Sequence, residues 1–241
     1  MIILALDSCF DACSAALASK TGGILASVCE PMATGHAERL VPMVSEIVAN
    51  AGLEFNDIDR IAVTYGPGTF TGTRIGVATA RAFALALDKE LIGETSLAVM
   101  AEAIAHDISE GDGSALGEQD ILIATDARRD EVYCQLFSAS GVRGYGPPSV
   151  LAPDEAAAMI NPGRPCILAG SGASSIKAAA DAAGLQTTTR RPDLLPDAAF
   201  LARRIAANRQ SAPITDRIAP LYLRPADAKP QSGKAIPRVS T

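Results

Sequence analysis

Apolar and polar positions along this chain follow two rhythms, a two-residue period that marks strands and a 3.6-residue period that marks helices. Ile2 to Leu6 is an apolar run closed by the polar turn Asp7-Ser8-Cys9-Phe10-Asp11, which predicts a buried strand. Ser14 to Ala18 and Ile24 to Cys29, joined through Thr21-Gly22-Gly23, predict two more. Leu40, Val44, Ile47 and Val48 recur at helical spacing between about His36 and Ala51, and Gly52 ends that helix. Next come a strand at Ile61 to Thr64, a helix from about Thr73 to Leu87, a short strand at Glu90 to Gly93 and a helix from Ser96 to about Asp107. The polar stretch Asp107 to Ser114 predicts a surface loop near a domain boundary.

A second series opens at Ile121 to Ala124 and returns through the turn Asp126 to Asp130 into Val132 to Phe137. It continues with a helix (Pro153 to Ile160), a strand (Cys166 to Leu168) and helices from about Ser174 to Ala183 and Pro196 to Asn208. From Pro225 to Thr241 there is little to pack, which predicts disorder. Each half thus begins with strands and goes on to alternate helix and strand. This duplicated β-β-β-α-β-α order resembles the α/β architecture of the actin-like ATPase (ASKHA) fold, a likeness that carries no activity by itself. The expected division is an N-terminal lobe over 1–105 and a smaller lobe over 106–195. A C-terminal helix and strand-like segment over 196–223 should pack back on both, followed by a tail over 224–241.

Composition narrows the class. With 241 residues, 48% apolar and 20% charged, the chain is long enough for two cores and ordinary for a globular protein. A formal net charge of −6 argues against a self-sufficient nucleic-acid binder, which needs a basic face. The cysteines Cys9, Cys13, Cys29, Cys134 and Cys166 form no Cys-x-x-Cys pair and no zinc spacing, so they are expected as reduced thiols, with Cys9 and Cys13 packed beside a turn. The first acid, Asp7, comes too early for a signal peptide, and no apolar run reaches the ~18 residues of a membrane span. The expectation is a soluble, cytoplasmic protein.

The candidate chemistry centres on Tyr65-Gly66-Pro67-Gly68-Thr69-Phe70-Thr71-Gly72-Thr73-Arg74-Ile75-Gly76. Strand, glycine-rich loop and helix is a layout that cradles phosphate on backbone N–H groups. The contacts are missing, however. Gly72 is followed by Thr73-Arg74 rather than Lys-Ser/Thr, and Thr71 stands where a dinucleotide fingerprint has its third glycine. Beyond the loop, Gly72, Gly76, Ala80 and Ala84 recur every fourth residue and form a narrow small-residue stripe. Such a stripe lets another element approach closely, and this can be the domain's own sheet or a partner helix. Ile75, Ala78, Ala82 and Leu85 lie on the neighbouring face and are expected in the core.

Other features carry plainer readings. His36 and His106 are the only histidines, and neither has a catalytic-zinc partner at helical spacing. His36 reads as a helix N-terminal residue beside Thr34 and Gly35, and His106 as a solvated helix end. Arg128 and Arg129 read as a charged hairpin turn, with contact to a partner carboxylate or phosphate as the alternative. Ala169-Gly170-Ser171-Gly172 reads as a strand-to-helix turn or a phosphate nest. In the tail, Arg224, Lys229, Lys234 and Arg238 read as a solvated basic end.

Several blocks together resemble one family: Leu4 to Ser8, Gly35 to Pro42, Gly66 to Gly76, Asp126 to Tyr133 and Pro220 to Arg224. In matching order over residues 1–224 they are similar to the glycoprotease-like family of bacterial tRNA threonylcarbamoyladenosine biosynthesis. The resemblance implies a part in forming N6-threonylcarbamoyladenosine at position 37 of tRNAs that read ANN codons. It implies a non-catalytic subunit that pairs with the metal-bearing paralogue TsaD and is joined by the ATPase TsaE. The paralogue's His-x-x-x-His pair has no counterpart in Leu91 to Ala98 here. Contact with tRNA is then through the complex only, and no membrane is involved.

The implied partner interface lies on the two N-lobe helices, with His36, Leu40, Met43, Gly72, Gly76, Ala80 and Ala84. The glycine loop contributes Gly66, Gly68, Thr69, Thr71 and Arg74, and Arg128 and Arg129 offer a secondary contact. No catalytic or metal-binding residue is assigned. No cofactor is expected on the isolated chain, with ATP or ADP at the complex interface, and self-association into a homodimer is open when the partner is absent. The alternative is an active ATP-dependent small-molecule kinase or transferase of the same fold, with Asp7 near a metal and Gly66 and Gly68 on phosphate.

Overall fold

The computed structural model describes residues 1–110, 119–138, 143–209 and 218–224. The first sheet contains β1 (Ile2–Asp7), β2 (Ala12–Ser19), β3 (Ile24–Pro31), β4 (Arg60–Thr64) and β5 (Glu90–Glu94) in the order β3-β2-β1-β4-β5. The second contains β6 (Asp120–Asp126), β7 (Val132–Ser138), β8 (Ser149–Leu151), β9 (Cys166–Ala169) and β10 (Thr187–Thr189) in the order β10-β9-β6-β7-β8. Read from its own first strand, the second sheet repeats the order of the first. In both, the first three strands are antiparallel neighbours and the fourth and fifth are parallel additions on the other side. This is the actin-like arrangement, an α/β fold of two related lobes.

The helices follow from burial on both faces of each sheet. β1 is central, so its residues are apolar almost throughout rather than alternating. Leu4 and Leu6 meet α1 (His36–Asn50) and α2 (Phe70–Leu87) on one face, in a core with Leu40, Met43, Val44, Ile47, Val77 and Ala80. Ile3 and Ala5 point the other way. With Ala16, Ala18 and Ala62 they form a shallow surface that takes α6 (Ala198–Ala206) through Ala198, Leu201, Ala202 and Ile205. Thus α6 crosses back to the first lobe, and Asp197 caps it by accepting the Ala199 N–H at 2.8 Å. In the second lobe Ile121 and Ile123 pack on α3 (Ser96–Glu110), while Leu122 and Ala124 pack towards α4 (Pro153–Ala157) and α5 (Ala173–Ala182).

Several boundaries differ from the sequence reading. α2 begins at Phe70 rather than Thr73, because the Thr69 side chain accepts the Gly72 N–H and starts the helix a turn earlier. α3 runs on to Glu110, so Asp107–Glu110 are helical; the remainder of the expected loop, residues 111–114, lies outside the described residues, as does the tail from 225. β8 and β10 were not expected: Ser149-Val150-Leu151 and Thr187-Thr188-Thr189 are three residues each and have no apolar alternation to announce them.

A charged cluster joins the elements. Arg204 of α6 donates to Glu94 at the end of β5 (2.8 Å) and to Glu102 of α3 (3.3 Å), and Arg209 reaches Glu102 at 3.0 Å. Arg204 and Glu94 are wholly buried. Removing one member of a buried pair strands its partner's charge in a low dielectric. Arg204→Ala should therefore lower the unfolding free energy by about 3–5 kcal/mol in urea titration.

Candidate functional site

The glycine loop folds directly onto the β1–β2 turn. A Cβ placed on Gly68 would stand 2.3 Å from the Cys9 carbonyl oxygen, and one on Gly72 would stand 2.1 Å from that of Ser8. Glycine is required at both places because backbone occupies the space of any side chain. Hydrogen bonds close the seam. Thr69 N–H donates to Cys9 O (2.7 Å), and Ser8 Oγ donates to Gly72 O (2.9 Å). On the far side Ser96 donates through its N–H to Gly66 O (3.0 Å) and through Oγ to Pro67 O (2.5 Å). The Gly66–Pro67 peptide is cis, and Gly66 has φ 114°. At the start of α2, the N–H groups of Thr69 and Gly72 are thus taken by Cys9 O and Thr69 Oγ1. The loop has a cradle's outline, filled by its own chain.

Asp7 lies beneath this seam, wholly buried. Its Oδ1 accepts from Thr64 Oγ1 and, at 3.4 Å, from Cys9 N–H, while Oδ2 has no partner among the described residues. Burial is the main cause that pushes its pKa up from 3.8 to about 7, against the lowering effect of the Thr64 hydrogen bond. The same burial raises the Cys9 thiol well above its usual range and pushes Cys13 and Cys166 up to about 12, whereas Cys29 stands exposed on the edge strand β3. None of these buried thiols is a thiolate nucleophile.

The two faces of α2 are the reverse of the sequence expectation. Gly72, Gly76 and Ala80 face inward; a Cβ on Gly76 would lie 2.7 Å from Ser8 Oγ, and Ala80 belongs to the lobe core. Ala84 is half-buried against the same core. On α1, Leu40 and Met43 are core residues, and His36 is buried with Nε2 at 2.9 Å from Phe10 O. The small-residue stripe is therefore an internal packing device, and these residues do not form an outer surface. Conversely Ala78 and Ala82 are exposed, Leu85 is 85% exposed, and only Ile75 of that group packs on the core.

α1 and α2 also carry exposed residues. α1 contributes Ala37, Glu38, Val41 and Ser45; α2 contributes Phe70, Arg74, Ala78, Arg81, Ala82 and Leu85. Acid lies on the α1 side and arginine on the α2 side. Arg39 is not among them: its guanidinium is forked onto Glu30 and Glu46, which holds α1 to β3. Arg74 stacks over Phe70 with 3.5 Å from the guanidinium carbon to the ring centroid, and its Nε donates to Tyr222 Oη at 2.6 Å. Thr71 is exposed at the start of the helix.

The remaining candidates lie elsewhere. Arg128, Arg129 and Asp130 take φ values of 61°, 57° and 58° in the β6–β7 hairpin, where Arg128 N–H is held by Asp126 Oδ1 at 2.7 Å. Arg224 reaches this turn and donates to Ala127 O (2.7 Å), Arg128 O (3.1 Å) and Glu131. The Ala169–Gly172 segment is a strand-to-helix turn closed on β6: Gly172 N–H donates to Ala124 O at 3.1 Å, and Ser171 Oγ accepts from Asp126 N–H. His106 meets Phe200 edge-on, with centroids 5.5 Å apart, rather than standing in solvent. Among the described residues no three His, Cys, Asp or Glu side chains converge on one point. No described helix is long and apolar enough to cross a membrane. Tyr222, Ser8 and the Arg204 cluster had no local signal in the sequence, since each acts across a long separation.

Comparison with known proteins places these observations. Residues 11–224 match the family model described as TsaD, tRNA N6-adenosine threonylcarbamoyltransferase. The tRNA threonylcarbamoyladenosine biosynthesis protein TsaB of Haemophilus influenzae is 36% identical over 133 residues, which is 55% of this chain and 52% of that protein. The match thus spans about half the length of that relative. A Mycobacterium tuberculosis protein described as uncharacterized is 36% identical over 198 residues, covering 82% of this chain and 79% of its own length. The solved structure of YeaZ from Pseudomonas aeruginosa is 30% identical with a TM-score of 0.71, covering 92% of this chain and 99% of that one.

Two measurements check the seam. Gly72→Ala should cost about 1–3 kcal/mol or more of stability, because the new methyl would overlap the Ser8 carbonyl oxygen and the capping Thr69 hydroxyl. For Asp7 the folded pKa of about 7 exceeds the unfolded 3.8, so between these values the folded state binds the extra proton. Stability should fall as pH rises from about 4 to about 7 and level off above. Asp7→Asn should abolish that fall and exceed the parent at pH 8 by roughly 2–4 kcal/mol, with the difference shrinking towards pH 4.

Proposed function

This chain belongs to the glycoprotease-like family that takes in TsaD and TsaB, with TsaB among its named relatives, and from that premise we propose that it is a non-catalytic subunit of a tRNA-modifying complex. The complex forms N6-threonylcarbamoyladenosine at position 37 of tRNAs that read ANN codons. In it this chain pairs with a TsaD paralogue, activates it, and helps recruit the ATPase TsaE. The observation that supports this reading is the sealed loop: the space inside its cradle-like outline is filled here by the Ser8 and Cys9 carbonyls.

The alternative, an ATP-dependent kinase or transferase, needs Asp7 available to a metal and loop N–H groups available to phosphate. Asp7 is fully buried with a raised pKa, and Thr69 N–H is bonded to Cys9 O. Nucleotide is better placed at the boundary with a partner, whose own groups complete a site that this chain lacks. The acidic net charge of −6 fits a subunit that meets tRNA through its complex.

The partner surface in this reading is the outer face of α1 and α2, around Val41, Arg74, Ala78, Arg81 and Leu85. An 85%-exposed leucine between exposed alanines and arginines is apolar area with something to gain from being covered. The β6–β7 hairpin with Arg128 offers a secondary contact for carboxylate or phosphate.

Light scattering on a sizing column, with this chain alone and mixed with TsaD from the same organism, tests the proposal. A one-to-one heterodimer that displaces any homodimer is expected. Leu85→Glu should weaken pairing at least about tenfold, equivalent to ~1.4 kcal/mol, while changing the stability of the isolated chain by no more than about 0.5 kcal/mol. Independent elution with TsaE and ATP present, together with ATP binding by the isolated chain, would favour the enzyme instead.

A further inference from the structure

The segment Ile218–Arg224 has no helix or strand of its own, yet it is anchored in both lobes. Ile218 is buried in the first lobe, where a Cβ on Gly93 would lie 3.0 Å from its Cδ1. Leu221 N–H donates to Tyr65 O at 2.7 Å, at the mouth of the glycine loop. Tyr222 Oη then accepts from Arg74, and its ring lies 5.5 Å from that of Phe70, so it belongs to the outer face of α2. Two residues later Arg224 is in the second lobe, holding the carbonyls of Ala127 and Arg128 and the carboxylate of Glu131.

Two features make this more than a row of contacts. Tyr222 and Arg224 are separated by a stretch of chain that spans at most ~7 Å when extended. A displacement of one cannot be absorbed before it reaches the other. Moreover, the hairpin that Arg224 holds is in a disfavoured state, with three consecutive non-glycine residues at positive φ. Arg224 satisfies two of its carbonyls in that conformation, and without it the turn has reason to rearrange.

We propose that the strap Ile218–Arg224 couples the outer face of α2 to the β6–β7 hairpin, so that seating Tyr222 on Arg74 and Phe70 also fixes the turn that presents Arg128. A protein that covers Phe70 and Arg74 then tightens a surface in the other lobe that it does not touch. The coupling is a property of the isolated chain and goes beyond any choice of partner.

Amide hydrogen exchange on the full chain tests it, read at Ala127 and Glu131, whose N–H groups bond to Glu131 O (2.9 Å) and Arg128 O (3.2 Å) inside the hairpin. Arg74→Ala alters only the first lobe. It should speed exchange at these two amides about tenfold, with the core amides of Ala62 and Leu122 unchanged. Tyr222→Phe, which deletes only the hydroxyl, should act in the same direction by about threefold. Arg224→Ala is the local reference and should produce the largest effect. The proposal is overturned if Arg74→Ala and Tyr222→Phe leave Ala127 and Glu131 within about twofold of the parent while Arg224→Ala speeds them. It is equally overturned if Arg224→Ala has no effect, or if the core amides accelerate as much as the hairpin.

Discussion

The rest of the first lobe depends on the contact of two glycine backbones with two carbonyl oxygens. Gly68 and Gly72 bring the start of α2 onto Cys9 O and Ser8 O at distances that admit no side chain. That contact sets the depth of α2 against the sheet and therefore which of its faces is inside. It also buries Asp7, whose carboxylate would otherwise have water, and Cys9 O takes up the Thr69 N–H at the start of α2. A turn-to-loop approach of this kind is rigid in both directions: neither strand end nor helix start can move without parting the seam.

Two buried acids at the ends of β1 and β5, on either side of β4, show how the fold handles charge. Glu94, at the end of β5, is matched by the wholly buried Arg204, and three elements, β5, α3 and α6, are tied through Glu94, Glu102 and Arg204. Asp7, at the end of β1, has a hydroxyl and a weak N–H bond but no cation, and its proton affinity rises to match. That raised affinity makes the seam's stability follow pH.

Much of the architecture was legible because the apolar runs are long and their periods clear. β1, α1 and the return of the β6–β7 hairpin all follow from local pattern, and the repeated strand order is visible as a repeated order of elements. The faces of α2 were not legible. Ile75, Ala78, Ala82 and Leu85 are more apolar than Gly72, Gly76 and Ala80, so hydropathy assigns the first group to the core. The structure reverses this because the inner neighbour is the backbone of Ser8, which excludes volume rather than rewarding apolar area. Contacts such as Arg74 with Tyr222 and Arg204 with Glu94, separated by 148 and 110 residues, leave no trace in any local window.

That reversal changes what the helix pair can be asked to do. If the glycine stripe had been outside, the surface would be a shallow groove suited to close helix crossing, with few groups to discriminate one partner from another. With the stripe inside, the surface is chemically marked: Leu85 and the exposed alanines supply area, Arg74 and Arg81 charge of one sign, and Glu38 charge of the other. In the proposed pairing such a face would discriminate by charge register as well as by shape. Arg74 is also held from both sides, by Phe70 beneath and Tyr222 beside it, so part of the side-chain ordering that association requires is already in place. The backbone contact that seats α2 against the Ser8–Cys9 turn thus also leaves the outer side of the same helix as a pre-ordered platform.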